Sequence, residues 1–143
     1  GGDVSRTWAA VANRSTLVNA TASGIGSGMA NTNSIQAQTG NAAADTAAVY
    51  AYDYSNGGKI DWHLPSLNEL NELCKYARQQ TTGNTAVTCS SSGSLRSGFA
   101  GAHYWSSTED DSFDGWDQDF TNGFQSTYDK SWNYRVRPIR AFG

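Results

Sequence analysis

Residues 104–134 set nine aromatic side chains among seven carboxylates and a single lysine. The rings are Tyr104, Trp105, Phe113, Trp116, Phe120, Phe124, Tyr128, Trp132 and Tyr134. That is more ring volume than one small core hides, and more charge than a plain core admits. Any fold for this chain must bury some of these rings and leave the rest at its surface beside short polar groups. A surface of that kind combines rigid contact area with hydrogen-bonding capacity, which suits it to recognition.

The periodicity of this stretch is that of strands. Over 116–120, Trp116, Gln118 and Phe120 alternate with Asp117 and Asp119, so the first set is expected inward and the acids outward. Thr121-Asn122-Gly123 reads as a turn, with Phe124, Ser126 and Tyr128 on a returning strand. Tyr104–Ser107 is a further strand. Tyr134–Phe142 is a last one, interrupted at Pro138 as on an edge or at a bulge.

The first half reads differently. Trp8–Val11 and Leu17-Val18 are short strand candidates. Residues 29–38 and the alanine-rich 42–54 predict helices, the second ended by Asn56-Gly57-Gly58. The clearest helix is 66–79. Ser66 and Glu69 form a capping box, Pro65 precedes it, and Leu67, Leu70, Leu73, Cys74 and Ala77 recur on one face. Helices followed by strands indicate an α+β domain.

A length of 143 residues suits one domain spanning 1–143. Aromatic content of 12% argues against disorder. A net charge of −3 argues against nucleic acid or an anionic membrane as partner. No apolar run reaches the roughly 20 residues of a bilayer span, so membrane insertion is not expected. No signal peptide is present, and Gly1 reads as the start of an excised domain, so this says little about export. The glycine-rich GIGSG of 24–28 lacks the spacing of a nucleotide fingerprint.

Cys74 and Cys89 lie 15 apart and are either two buried thiols or a helix-to-loop disulfide. The low-charge, Ser/Thr/Asn-rich composition favours the disulfide and an extracellular setting. Asn13 and Asn19 head glycosylation sequons of a kind that often arises by chance.

Catalysis finds little support. His63 and His103 are the only histidines, and no recognised spacing joins them to a nucleophile. Acid pairs such as Glu109 and Asp111 are expected by chance in so acidic a stretch. No cofactor is expected. Asp110-Asp111-Ser112-Phe113-Asp114-Gly115 does match the opening of an EF-hand loop, but Thr121 stands where the bidentate glutamate belongs. A solvated acidic loop is the simpler reading, with Asp110, Asp111, Asp114 and Asp117 as the weak calcium candidates.

Five segments occur in order across nearly the whole chain: GIGSGMANTNSI (24–35), GGKIDWHLPSLNELNEL (57–73), YWSSTE (104–109), WDQDFTNG (116–123) and VRPIRAF (136–142). On these segments the chain resembles the C-terminal domain family of bacterial collagen-like adhesins, and more distantly the variable proteins of diversity-generating retroelements. The resemblance implies a C-type-lectin-like α+β fold: helices on a small, irregular, mostly antiparallel sheet. It implies a cell-surface or secreted bacterial or phage protein, a homotrimer in the family's adhesins, that recognises ligands without catalysis. The fold also resembles formylglycine-generating enzymes, which depend on reactive cysteines; Cys74 is expected on a buried helical face instead.

Carried over by position, Tyr104, Trp105, Ser106, Ser107, Glu109, Trp116, Gln118, Phe120, Gly123, Gln125, Lys130, Val136, Arg137, Pro138, Arg140 and Phe142 form the framework. Arg137 and Arg140 are expected to pair with acids, Glu109 among them. Trp8, Trp62, Trp105 and Trp116 are expected in the core. The ligand-facing candidates are Asp110, Asp111, Ser112, Phe113, Asp114, Asp117, Asp119, Asn122, Phe124, Tyr128, Asp129, Trp132 and Asn133, with Trp132 foremost. The family's adhesins bind sulfated glycosaminoglycans. Here seven acids against one lysine leave the region at −6, which disfavours sulfate and suits a neutral glycan or a basic protein. Three readings follow: a glycan-binding adhesin, a diversified protein receptor, and a structural trimerisation cap that buries the rings between subunits.

Overall fold

Ser66 opens the longest helix in the computed structural model, which describes residues 3–140. Its hydroxyl accepts from the Glu69 amide at 3.4 Å, and the Glu69 carboxylate accepts from the Ser66 amide at 2.8 Å. Two donors orphaned by the helix start are satisfied at once. Helix α4 then runs Leu67–Ala77 and buries Leu70, Cys74 and Ala77, with Leu67 and Leu73 at the margin. Cys74 is disulfide-bonded to Cys89, which ties the following loop to the helix.

Three shorter helices precede α4: α1 (Gly28–Ala37), α2 (Asn41–Ala44) and α3 (Ala47–Asp53). The single helix expected over 42–54 is thus two. Asp45 takes a left-handed φ of 49°, and the Ala47 amide donates to the carbonyl of Thr7 instead of a helical partner. Tertiary contact overrides the alanine-rich propensity there.

The first strand is β1 (Val4–Arg6), not the Trp8–Val11 or Leu17-Val18 segments. Val11–Asn13 form a 3-10 turn, and Trp8 is a fully buried core residue. Asn13 is buried with its amide donating to Thr39 and Asn41, so its sequon is closed in the folded chain; Asn19 is exposed.

The later strands are β2 (Trp62–His63), β3 (His103–Glu109), β4 (Asp114–Asp119), β5 (Gln125–Asp129), β6 (Tyr134–Val136) and β7 (Ile139–Arg140). Five form one sheet in the order β1-β6-β3-β4-β5. All its pairings are antiparallel except β3 with β6. β2 and β7 form a separate ribbon. Pro138 divides β6 from β7 as expected; Phe142 lies outside the described residues.

Alternation along β3 separates two cores. Tyr104 joins Phe120, Leu70 and the cystine on the α4 side. Trp105 joins Trp8, Ile35, Leu64 and Val136 on the other. Trp62 and Trp116, expected in the core, are only half-buried. Arg137 pairs with Asp3 at 2.5 Å and Arg140 with Asp61 at 2.8 Å. Neither reaches Glu109, whose partner is Lys130. Among the described residues the architecture is α+β, with four α-helices and a mixed, mostly antiparallel sheet, consistent with a C-type-lectin-like fold.

Candidate functional site

The β4–β5 register decides which of the candidate residues meet. Asp114 lies opposite Asp129, Gly115 opposite Tyr128, and Asp117 opposite Ser126. The acidic loop 110–114 therefore sits beside the turn that carries Asp129, Trp132 and Asn133. Asn122 and Phe124 lie in the turn at the far end of the same hairpin and do not join them. Phe113, Phe124 and Trp132 are all exposed, Trp132 by 55%. Asp110, Asp111, Asp129 and Asn133 are exposed; Ser112, Asp114, Asp119 and Tyr128 are half-buried.

Asp117 departs from the expectation. The strand does alternate, but the acid's own face is covered and Asp117 is fully buried. The cover comes from strands distant in sequence: His103 on β3 and Tyr134 on β6. The Asp117 carboxylate holds His103 Nδ1 at 2.5 Å, and His103 Nε2 stands 3.6 Å from Asp119. The second Asp117 oxygen is buried with no protein hydrogen-bond partner. Burial pushes the Asp117 carboxyl up to about 6, against the hydrogen bond from His103 that draws it down.

Around this acid the rings form a cluster. His103 stacks on Tyr134 with centroids 4.7 Å apart and planes 16° apart. Trp132 lies nearly parallel to Tyr134 at 6.2 Å. Tyr128 meets all three roughly edge-on, at 5.4 Å from His103, 5.4 Å from Tyr134 and 6.4 Å from Trp132. Such offset and edge-to-face contacts stabilise rings that are not fully buried. Burial and the nearby acids Asp117 and Asp119 push the Tyr134 hydroxyl up to about 12, so it stays a donor at neutral pH.

The cluster stands on a rigid base. The Trp105 indole donates to the carbonyls of Arg6 and Trp132, fixing the turn that carries Trp132. Lys130, the lysine of the acidic region, is completely buried; its ammonium meets Glu109 at 2.7 Å and the Thr16 carbonyl at 3.1 Å. Glu109 also accepts from the amides of Val18 and Asn19. This buried pair locks the turn after β5 to the N-terminal segment. Gly115 is needed for close approach: a Cβ there would stand 2.8 Å from the Trp8 indole.

Asp110, Asp111 and Asp114 do converge, with carboxylate oxygens within 4.8 Å of one another. Asp117, the fourth calcium candidate, is instead buried against His103. One Asp111 oxygen is already taken by the amides of Phe113 and Asp114. Burial, then the charges of Asp111, Asp129 and Asp110, raise the Asp114 carboxyl above its usual range. His63 is buried beside Glu69 at 3.6 Å.

The arrangement offers ring faces and acceptor-only carboxylates. The imidazole is oriented by a buried carboxylate, as in a catalytic dyad, but its other nitrogen faces Asp119, not a nucleophile.

The family model described as the Lcl C-terminal domain matches residues 6–140. The chain belongs to that family. No curated protein and no solved structure matches it. Lcl C-terminal domains are a non-enzymatic C-terminal domain family of collagen-like proteins, associated with extracellular and surface proteins. Membership makes this chain a surface- or adhesion-associated module. No helix among the described residues is long and apolar enough to cross a membrane.

Sequence reasoning missed His103. Its signal was positional: 103 and 105 share a face of the strand, and that face meets Asp119 and Asp117 once the β3–β4 register is known.

Proposed function

We propose that this Lcl C-terminal domain is a non-catalytic recognition module whose ligand, a glycan or a protein, docks on the ring-and-carboxylate face of β3–β6. One observation carries the reading: Trp132 is 55% exposed while its backbone is held by the buried Trp105 indole. A large ring kept in solvent by a rigid base contributes nothing to the core and is preorganised for contact. Asp119, Tyr128 and Asp129 supply polar rim contacts beside it.

A glycan array and a surface-protein panel test this, with the wild type beside Tyr128→Ala/Trp132→Ala, in calcium and in chelator. Binding that the double variant loses supports the reading, and loss in chelator adds the Asp110–Asp111–Asp114 loop to the site. Binding that the variant retains places recognition elsewhere. If folded wild type binds nothing and its solution mass is that of a trimer whose assembly needs Trp132, the face is a subunit contact and the reading fails.

A further inference from the structure

We propose that the cluster of His103, Tyr128, Trp132 and Tyr134, with Asp119 at its edge, seats a cationic side chain, a lysine or arginine of a partner protein. The inference rests on the recognition reading above and specifies the ligand chemistry of that same surface.

Three observations converge on a cation. The first is ring geometry. Aromatic faces carry negative potential, and a cation over them is attracted. Here nearly parallel rings end in a half-exposed indole, with Tyr128 set across them.

The second is charge. One proton bridges His103 and Asp117 at 2.5 Å, and Asp119 stands 3.6 Å from the imidazole's other nitrogen. Every protonation state that keeps this bond and leaves Asp119 ionised gives the trio a net negative charge. Among the described residues no lysine or arginine is ion-paired to Asp117 or Asp119. Lys130 is spent on Glu109 inside the fold, and Arg135 shares its register position with Tyr104, whose side chain enters the α4-side core.

The third is hydrogen-bonding capacity. One Asp117 oxygen holds His103 while the other is buried with no partner, so the carboxylate beneath the cluster is not fully compensated within the fold. Asp119 and Asp129 at the surface are likewise acceptors alone. A neutral sugar can pair with the tyrosine hydroxyls and the Trp132 indole N–H but leaves the carboxylate charge unanswered, whereas a guanidinium or ammonium brings donors and charge together. An anionic ligand is disfavoured by the carboxylates of Asp119 and Asp129.

The test is an NMR titration of the folded domain, reading the Trp132 indole and the His103 and Tyr128 side-chain signals. The probes are acetyl-Gly-Arg-Gly-amide, its lysine analogue, its neutral citrulline analogue and methyl α-mannoside. The cationic peptides are expected to move these signals saturably, with citrulline binding about fivefold more weakly. Asp119→Asn keeps the turn bond from the Thr121 amide, and it is expected to weaken the arginine peptide about fivefold while leaving citrulline unchanged. Equal shifts with arginine and citrulline overturn the proposal, as does silence up to about 50 mM, where even a weak site fills. Shifts with the mannoside alone overturn it too but leave the recognition module standing. Silence here together with an empty array and protein panel removes both.

Discussion

At the scale of single residues, two buried charges behave in opposite ways. Lys130 and Glu109 compensate each other: both side chains are inaccessible, Glu109 also accepts from the backbone amides of Val18 and Asn19, and the Lys130 ammonium also donates to the Thr16 carbonyl and lies over the Trp8 ring. Lys130→Met would strand a buried carboxylate and is expected to cost about 3–5 kcal/mol in chemical denaturation. Adding Glu109→Gln should recover part of that loss, and a single-variant cost under about 1 kcal/mol would mean the pair is not buried in solution. Asp117 is less well served. Its folded pKa of about 6 lies above the ordinary 3.8, so between those values the folded chain holds a proton the unfolded chain has released. The stability this group adds is full at the acid end and is lost as pH rises through about 6. The groups that face it are His103 on β3, Asp119 on its own strand, Tyr128 on β5 and Tyr134 on β6. Wild type is therefore expected to lose stability relative to Asp117→Asn as pH rises from about 4 to about 7, read from paired denaturation curves. A pH-independent difference would contradict the assignment.

At the scale of elements, what the sequence made legible was local. The α4 cap, its buried Leu70–Cys74–Ala77 stripe and the β4 turn strand β5 hairpin depend on neighbours within a few residues, and all form where the pattern places them. What it hid was set across distance. Asp45 breaks the helix because Ala47 bonds Thr7 far upstream. The alternation of 116–120 gave the correct faces but not their depth, since the cover over Asp117 arrives from β3 and β6. The partner of Glu109 was invisible for the same reason: a lysine 21 residues on reaches it only after the hairpin has formed. The cystine belongs to this scale too. It joins α4 to a loop that touches the β4–β5 turn, where Gly123 abuts the Cys89 backbone. Cys74→Ser/Cys89→Ser is expected to lower stability by about 3 kcal/mol, measured by denaturation against the wild type with and without reductant. Equal curves would show that hydrogen bonding alone holds the loop, through Asn71 to Cys89 and Val87.

At the scale of the whole molecule, binding face and stability are separable. Two cores flank β3, and the exposed rings belong to neither. Phe124→Ala is thus expected to shift unfolding by no more than about 0.5 kcal/mol, and Trp132→Ala, which also loses its contacts with Tyr128 and Tyr134, by about 1 kcal/mol, checked by thermal melts. A larger loss would show that those rings pack into the fold more than their exposure indicates. The separation means that the surface chemistry of this domain can be altered while its frame is kept. Here it carries net negative charge where sulfated ligands would require the opposite.

The seam between β1 and β6 has a mechanical meaning. Val4 lies opposite Val136 and Arg6 opposite Tyr134, so both strand ends open at the same side of the sheet. Tension between residues 3 and 137 loads those pairs in succession, as in peeling, and never all at once in shear. Asp3 and Arg137 sit at the opening, and Asp3 also accepts from the Tyr104 hydroxyl, so this one aspartate clasps the seam shut. Single-molecule pulling on those two ends should read an early rupture that Asp3→Asn brings to still lower force. Tension applied at Trp132 enters instead beside the buried Lys130, where nothing can be peeled without first extracting a charge.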